Sequence, residues 1–166
     1  MNDELVEVID DEDVVVSVVT RLRMRAENLR HRTVFVVVFD RRGCLLTHQR
    51  AAWKDVWPSY WDIAFGGVLA VGETYEHAAR RELAEEAGIE SGELEFLGMG
   101  TYEDDSVREI GAVFRTVSEG PFEFTDGEVV ATEWVPYESI GRWLQRRRVV
   151  PDSVEIVLRA LTQCAP

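Results

Sequence analysis

The chain has 166 residues, a length that suits one folded domain with one core of ordinary size. Apolar residues make up 46% of it, as in a globular protein, and no apolar run approaches the ~20 residues that span a membrane. The 31 acidic and 18 basic residues give a net charge of −13, which excludes a protein that coats nucleic acid, because displacing counterions requires a basic field.

No internal repeat or Pro/Gly/Ser-rich linker divides the chain, so the sequence predicts one domain over residues 1–166. Residues 1–32 form an N-terminal extension to it. Residues 1–4 are acidic, unlike the basic start of a secretory signal. Cys44 and Cys164 lack the spacing of a metal site or a disulfide framework, and we therefore expect a cytoplasmic protein.

The alternation of hydrophobic and turn residues predicts the secondary structure in chain order. The predicted strands are 14–19, 33–39, 44–47, 60–65, 94–102, 111–117 and 131–135. Three helices are predicted: 74–87, which Gly88 would cap, a segment after Pro136 that continues into 146–148, and one that starts at Pro151. Strands interspersed with helices predict an α/β (α+β) fold, with a mixed β-sheet and helices packed on it.

Three glutamates on the first long helix are candidates for metal binding. Glu82, Glu85 and Glu86 stand at i, i+3 and i+4, so a helix places them on one side, where each like-charged pair costs about 0.2–0.5 kcal/mol. Hard divalent cations such as Mg²⁺ require clustered carboxylate oxygens, which would turn this repulsion into coordination. The alternative is a solvated acidic face in a chain already rich in acid.

The wider pattern around these glutamates resembles the Nudix box, over residues 67–89. The matching positions are Gly67, Glu73 after five residues, Arg81-Glu82 after seven more, apolar Leu83, Glu85-Glu86, Gly88 and apolar Ile89. The elements from about residue 33 to the C-terminus also look like the Nudix α/β/α sandwich. The resemblance therefore implies both a fold and a class of reaction.

The resemblance implies a magnesium site on this helix, for which Mn²⁺ can substitute. It makes Glu82, Glu85 and Glu86 the ligands, together with the backbone carbonyl of Gly66 or Gly67. Arg81 resembles the arginine that orients these carboxylates, and Glu73 the glutamate that fixes the geometry of loop and helix.

The same resemblance implies that Mg²⁺ activates a water molecule that attacks a diphosphate. Glu85 or Glu86 would take the proton of that water, with Arg81 as part of the catalytic group. Some relatives take the base from a later loop, and here Glu128 is the candidate for that additional carboxylate. An ordinary exposed loop acid is the alternative interpretation of Glu128.

A second resemblance, over residues 31–62, concerns the branch that includes isopentenyl-diphosphate isomerase and its hydrolase relatives. It rests on His31, on Trp57-Pro58 and on the basic pair Arg50 and Lys54, which would contact the substrate diphosphate. Two ordinary surface cations are the alternative. The isomerase needs a cysteine close to the first box glycine, and this chain has none there, so hydrolysis is favoured.

The sequence thus predicts a magnesium-dependent Nudix hydrolase that cleaves a diphosphate linkage, in a nucleoside diphosphate joined to another moiety. An isomerase and a non-catalytic nucleotide-sensing Nudix domain are the alternatives. A small-molecule substrate is expected, with no nucleic acid or membrane partner, and the homodimers common among relatives are compatible with the chain. Four aromatic residues could stack on a base or belong to the core: Trp53, Trp57, Tyr60 and Tyr102.

Overall fold

The computed structural model describes residues 4–163. The strands are β1 (Leu5–Ile9), β2 (Val15–Thr20), β3 (His31–Phe39), β4 (Cys44–Arg50), β5 (Trp61–Asp62), β6 (Phe65–Val68), β7 (Glu95–Glu103), β8 (Arg108–Val117) and β9 (Val129–Pro136). The helices are α1 (Arg21–Ala26), α2 (Tyr75–Ala87), α3 (Ile140–Leu144) and α4 (Pro151–Gln163), with a 3-10 turn at Tyr137–Ser139. Within the described residues, no helix is long and apolar enough to cross a bilayer.

Strand β3 is the centre of a mixed sheet. It pairs in parallel with β8 from His31 to Phe39, and β8 pairs antiparallel with β7. On its other edge β3 meets β1, β6 and β4 in succession, and β4 continues to β5 and β9. The central position explains why β3 is a β-branched and aromatic run that is buried along almost its whole length.

Helices cover both faces of this sheet, so the predicted α/β/α sandwich is confirmed. Alternate side chains of β3 point to opposite faces. Val34 and Val36 pack with Leu83 of α2 on one face, whereas Phe35 packs with Val157 of α4 on the other.

The helix α2 begins and ends as the sequence predicts, and most of the predicted strands are present with slightly different bounds. The predicted strand 60–65 is instead two short strands, β5 and β6, because the buried Asp62 side chain accepts hydrogen bonds from the backbone of Ile63 and Ala64 between them. The helix after Pro136 ends at Leu144, so its predicted continuation into 146–148 is wrong.

The N-terminal extension contains more structure than predicted. In addition to the predicted strand near 14–19, it forms β1 and the short helix α1, and β1 joins the main sheet through the pair Val8 and His31. Met24 of α1 is buried with Val6 and Val68, which ties the extension to β6. Of the two cysteines, Cys44 is partly exposed on β4, and Cys164 lies outside the described residues.

The buried His48 on β4 makes a testable contribution to stability. Burial, followed by the charges of Arg50 and Lys54, lowers the pKa of His48 from 6.5 to about 3. Below pH 6.5 His48 therefore binds a proton in the unfolded chain but stays neutral in the folded protein. The free energy of unfolding falls as the pH is lowered from 6.5 towards 3. Between pH 6.5 and about 5.5 the wild type should lose about 1 kcal/mol more free energy of unfolding than His48→Gln.

Urea unfolding at the two pH values measures this difference. His77, exposed on α2, supplies the control His77→Gln, which should keep the pH dependence of the wild type. Identical pH dependences for the wild type and His48→Gln would contradict the prediction.

Candidate functional site

The helix α2 is held at both ends by local capping. The hydroxyl of Thr74 accepts a hydrogen bond from the backbone N–H of His77, and Gly88 adopts the left-handed conformation that ends the helix. Ala79 and Leu83 pack against the sheet, so the helix cannot rotate about its axis. This packing directs two of the three candidate glutamates inward, towards the glycines of β6.

Glu82 and Glu86 are buried, whereas the side chain of Glu85 is 58% exposed. Adjacent residues of an α-helix differ in direction by about 100°, so Glu85 and Glu86 lie on opposite sides of Glu82. Within residues 4–163, no three His, Cys, Asp or Glu side chains gather closely enough to enclose a metal ion. The expectation that all three glutamates form one tight cluster is therefore met by two of them.

Arg81 accounts for the position of Glu85. Its guanidinium group binds Glu73 through two hydrogen bonds of 2.9 Å, Glu82 at 2.7 Å and Glu85 at 3.2 Å. Glu73 in turn accepts a hydrogen bond from the backbone N–H of Ala70. Arg81 thus links the loop before α2 to the glutamates on it, which is the geometry that the resemblance implied for these residues.

The strand β6 approaches so closely that position 66 admits only glycine, and a side chain at position 67 would displace Glu82. A Cβ on Gly66 would lie 1.8 Å from the carbonyl oxygen of Val34, and a Cβ on Gly67 would lie 2.5 Å from Oε1 of Glu82. Glu86 Oε2 accepts a hydrogen bond of 3.1 Å from the backbone N–H of Gly66. The two buried carboxylates therefore contact the backbone of this glycine pair directly.

Both buried glutamates hold their protons more tightly than usual. Burial, and then the charge of Glu82, raises the pKa of Glu86 well above its ordinary value, although Lys54 opposes the shift. Burial also raises the pKa of Glu82, against the opposing charge of Arg81. Without a further positive charge, the pair is therefore favoured in a partly protonated form.

These residues fit a hard divalent cation. They offer oxygen atoms alone, and two carboxylates are buried against the glycine pair, where the missing Cβ of Gly67 makes room for the carboxylate of Glu82. A bound cation would replace the protons that burial favours. Glu85 would become a third ligand by releasing Arg81.

A pocket opens beside the glycine pair, and the cations predicted for substrate binding line it. Gly66, Gly67, Arg50 and Lys54 all contribute to its wall. Lys54 forms an ion pair with Glu128, and its charge also acts on Glu86, where it opposes the rise in the pKa of that residue. The structure therefore brings Lys54, Glu128 and Glu86 together, and Glu128 is not an isolated loop acid.

Arg50, like Lys54, is held by contacts within the protein. Its Nη2 donates a hydrogen bond of 3.2 Å to the carbonyl of Val56, and its Nη1 lies 3.7 Å from Oδ2 of Asp62. The side chain is 16% exposed, so it is not an ordinary surface cation. Arg50 and Lys54 together supply the local positive charge that an anionic ligand needs near such an acidic protein.

Several residues of the pocket were missed by the sequence analysis. Arg21 and Arg25, one turn apart on α1, line it, as do the buried carboxyl groups of Asp62, Glu109 and Asp152. Glu109 had a detectable signal, because it shares the sheet face of Val113 by the alternation of β8 and is therefore a charge pointing inward. Asp152 gave no such signal, since an acid in the first turn of a helix is usually exposed.

Of the four aromatic residues named from the sequence, Trp57 lines the pocket. Its backbone has a φ of +47°, which is strained for a bulky residue and is of a kind that often accompanies binding sites. Trp53 is 59% exposed, so it does not belong to the core. Tyr60 lies under the guanidinium group of Arg148, with Arg148 Cζ 4.5 Å from its ring centroid.

A helix that presents buried carboxylates to a glycine pair, beside a cationic pocket, defines a class of protein suited to metal-assisted chemistry on anions. The NUDIX domain model matches residues 29–158, which is most of the chain. The chain belongs to the Nudix hydrolase family, whose members act on phosphoric anhydride bonds and generally use divalent metal ions.

Relatives with similar sequences are themselves Nudix hydrolases. An uncharacterized Nudix hydrolase of Yersinia pestis is 36% identical over 96% of this chain and 87% of its own length. YfcD of Escherichia coli K12, also described as an uncharacterized Nudix hydrolase, is 37% identical over 82% of this chain and 76% of its own. The crystal structure of DR0079 from Deinococcus radiodurans shares the fold, with a TM-score of 0.80 and 24% identity over 95% of this chain and 99% of that one.

The contacts of Arg81 predict a structural role that can be measured without substrate. Arg81→Ala removes four hydrogen bonds to carboxylates, and Glu82 loses the cation that it contacts on α2. The free energy of unfolding should therefore fall by about 2 kcal/mol. Denaturant unfolding gives the value. Its neighbour Arg80 pairs with the exposed Glu76, and Arg80→Ala should cost less than about 1 kcal/mol; equal losses would refute the assigned role.

Proposed function

We propose that this protein is a magnesium-dependent hydrolase that cleaves a diphosphate linkage in a nucleoside diphosphate joined to another moiety. The observation that carries the proposal is the placement of Glu82 and Glu86 against Gly66 and Gly67, two glycines that line a pocket together with several cations. The carboxylates, which repel each other in the free protein, are complementary to a metal ion. The cations of the pocket are complementary to the diphosphate bound to that metal.

Each side of the site has a separate task in this proposal. Glu82 and Glu86, with the carbonyl of Gly67 and a rotated Glu85, would hold Mg²⁺, and Mn²⁺ would replace it. Arg81 positions the glutamates and does not contact the reacting atoms. Arg50 and Lys54 bind the diphosphate oxygens from the opposite wall.

The reaction is the attack of water on one phosphorus atom. Magnesium, when bound, supplies positive charge that reduces the repulsion between the diphosphate and the entering oxygen and makes the water more acidic. A new phosphorus–oxygen bond forms, the anhydride bond breaks, and the second phosphate leaves with the bonding electrons. The water's proton passes to a carboxylate, for which Glu86 is better placed than Glu85, because Glu86 is held against the glycine pair whereas Glu85 faces solvent and Arg81.

Glu128 is the second candidate for that proton. It is held beside Glu86 by its ion pair with Lys54. When a diphosphate arrives, Lys54 would be shared between the phosphate oxygens and Glu128. That exchange would free Glu128 to accept a proton or a metal contact.

The isomerase resemblance contributes the role of Arg50 and Lys54 and does not extend to the chemistry. Phe65, fully buried, precedes Gly66 where the isomerase would need a thiol. Cys44 lies at the start of β4, at the opposite end of the strand from Arg50, and does not line the pocket. Hydrolysis needs no such thiol, since water is the nucleophile.

The substrate assay tests the proposal as a whole. Nucleoside diphosphates, nucleoside-diphosphate sugars, dinucleotides, coenzyme A and isopentenyl diphosphate are incubated with the protein in Mg²⁺ and in a chelator, and the products are identified. Magnesium-dependent release of two phosphate-bearing products is expected. Binding without turnover would indicate a sensor instead, and incorporation of solvent deuterium into isopentenyl diphosphate would indicate an isomerase.

Glu86 is the residue whose loss should affect the rate most. Glu86→Gln removes the buried charge and keeps the side-chain size, so we expect turnover to fall by several orders of magnitude while the melting temperature is preserved. The exposed Glu76 on the same helix provides the control Glu76→Gln, which should retain the wild-type rate. An unchanged rate in Glu86→Gln would remove this residue from the mechanism.

Lys54 should affect substrate binding more than turnover. Lys54→Met removes a charge that faces the diphosphate, and we expect KM to rise by about tenfold or more, with a smaller change in kcat. The control is Arg115→Met, since Arg115 is half exposed and pairs with Glu95 outside the pocket. Equal KM values for the wild type and Lys54→Met would show that this cation does not bind the substrate.

A further inference from the structure

The wall of the pocket carries three buried carboxyl groups that the hydrolysis does not use. Glu109 comes from β8, Asp152 from the first turn of α4 and Asp62 from β5, and all three are more than nine-tenths buried. Glu109 lies on the α4 face of the sheet, whereas Glu82 and Glu86 approach the glycine pair from α2 on the other face. The two acidic groups are therefore separate.

Two of these groups are largely satisfied within the protein. Asp62 accepts hydrogen bonds from the backbone N–H groups of Ile63 and Ala64 and faces Arg50. Asp152 accepts one from the backbone N–H of Ser153. Asp62 and Asp152 therefore serve mainly to build the wall.

Glu109 is different, because one of its oxygens makes no hydrogen bond of good geometry with the described residues. Oε1 is buried and unpartnered among the described residues, and so is the hydroxyl oxygen of Thr33 beside it. His31 cannot fill the gap: its Nδ1–H donates to the carbonyl of Leu29, and burial lowers its pKa to about 3, so the neutral ring offers only an acceptor at Nε2, 3.9 Å from Glu109 Oε2. A buried acceptor without a donor costs about 1–3 kcal/mol unless a ligand supplies one.

The charges around Glu109 keep it able to accept. Burial raises its pKa to about 7, and Asp152, Arg25 and Thr33 each oppose that rise. Burial, followed by the charge of Glu109, raises the pKa of Asp152 well above the ordinary value. Arg25 on α1 supplies the nearby positive charge.

We propose that the part of the wall around Glu109 selects the non-phosphate part of the substrate, and that Glu109 Oε1 accepts a hydrogen bond from a hydroxyl or amino group on it. The inference rests on the proposed function, in which Arg50 and Lys54 bind the diphosphate in the same pocket. The ligand is then a diphosphate that carries a sugar hydroxyl or a base amino group. A hydrocarbon there would leave Glu109 and Thr33 without partners.

Calorimetric binding to the whole protein, in Ca²⁺ to slow turnover, compares ligands with and without the donor. ADP against purine-riboside diphosphate tests the amino group, ADP against its 2′,3′-dideoxy analogue tests the sugar hydroxyls, and isopentenyl diphosphate has neither. We expect the donor-bearing member of at least one pair to bind tenfold or more tightly, and isopentenyl diphosphate to bind weakly. Equal affinities within both pairs would overturn the inference.

The variant Glu109→Gln tests whether Glu109 is the residue that discriminates between the paired ligands. This variant should reduce the discriminating ratio by about tenfold, whereas Glu95→Gln, an exposed position on β7, should keep it. If Glu109→Gln does not fold, Thr33→Val tests the same part of the pocket wall and should also reduce the ratio of affinities. A variant that weakens every ligand equally would count against selection by Glu109.

The result is independent of whether hydrolysis occurs. Turnover of the same ligands in Mg²⁺ decides the proposed function, whereas the ratio of affinities decides the role of Glu109. Selective binding without turnover would support the inference and refute the hydrolase, and unselective turnover would do the reverse.

Discussion

The site depends on the close contact between the buried glutamates of α2 and the glycine pair of β6. Glu82 fills the space that a side chain on Gly67 would occupy, and Glu86 is fixed by the backbone N–H of Gly66. The contact requires glycine at position 66, where a Cβ would meet the backbone of Val34, and a side chain at position 67 would displace Glu82. The carboxylates therefore occupy a defined place against two glycines that line the pocket, at the cost of raised pKa values.

The pocket concentrates positive charge in a protein that is acidic overall. A protein with a net charge of −13 repels anions, yet its family acts on phosphoric anhydrides. Four cations from two separate segments meet around one cavity: Arg21 and Arg25 from the N-terminal extension, and Arg50 and Lys54 from the end of β4 and the loop after it. The extension thus contributes directly to the site, even though the family match begins only at residue 29.

Local signals predicted the elements well where they were strong. The helix α2 with its Gly88 end and the hydrophobic run of β3 are each specified by neighbouring residues, and both elements were correctly predicted. The break between β5 and β6 was not, because it depends on the buried side chain of Asp62. The short helix α1 was missed, since six residues give little periodicity to detect.

The sequence by itself determined the family and the residues that form the box, because their spacing along one helix and one loop is a local property. The tertiary structure decided how those residues are used: Glu85 is drawn outward by Arg81, and Glu128 is brought to Glu86 by Lys54. It also placed Glu109 of β8 beside Asp152 of α4, two residues far apart in the chain. Such contacts arise from the packing of helices against a sheet, and no local pattern along the chain encodes them.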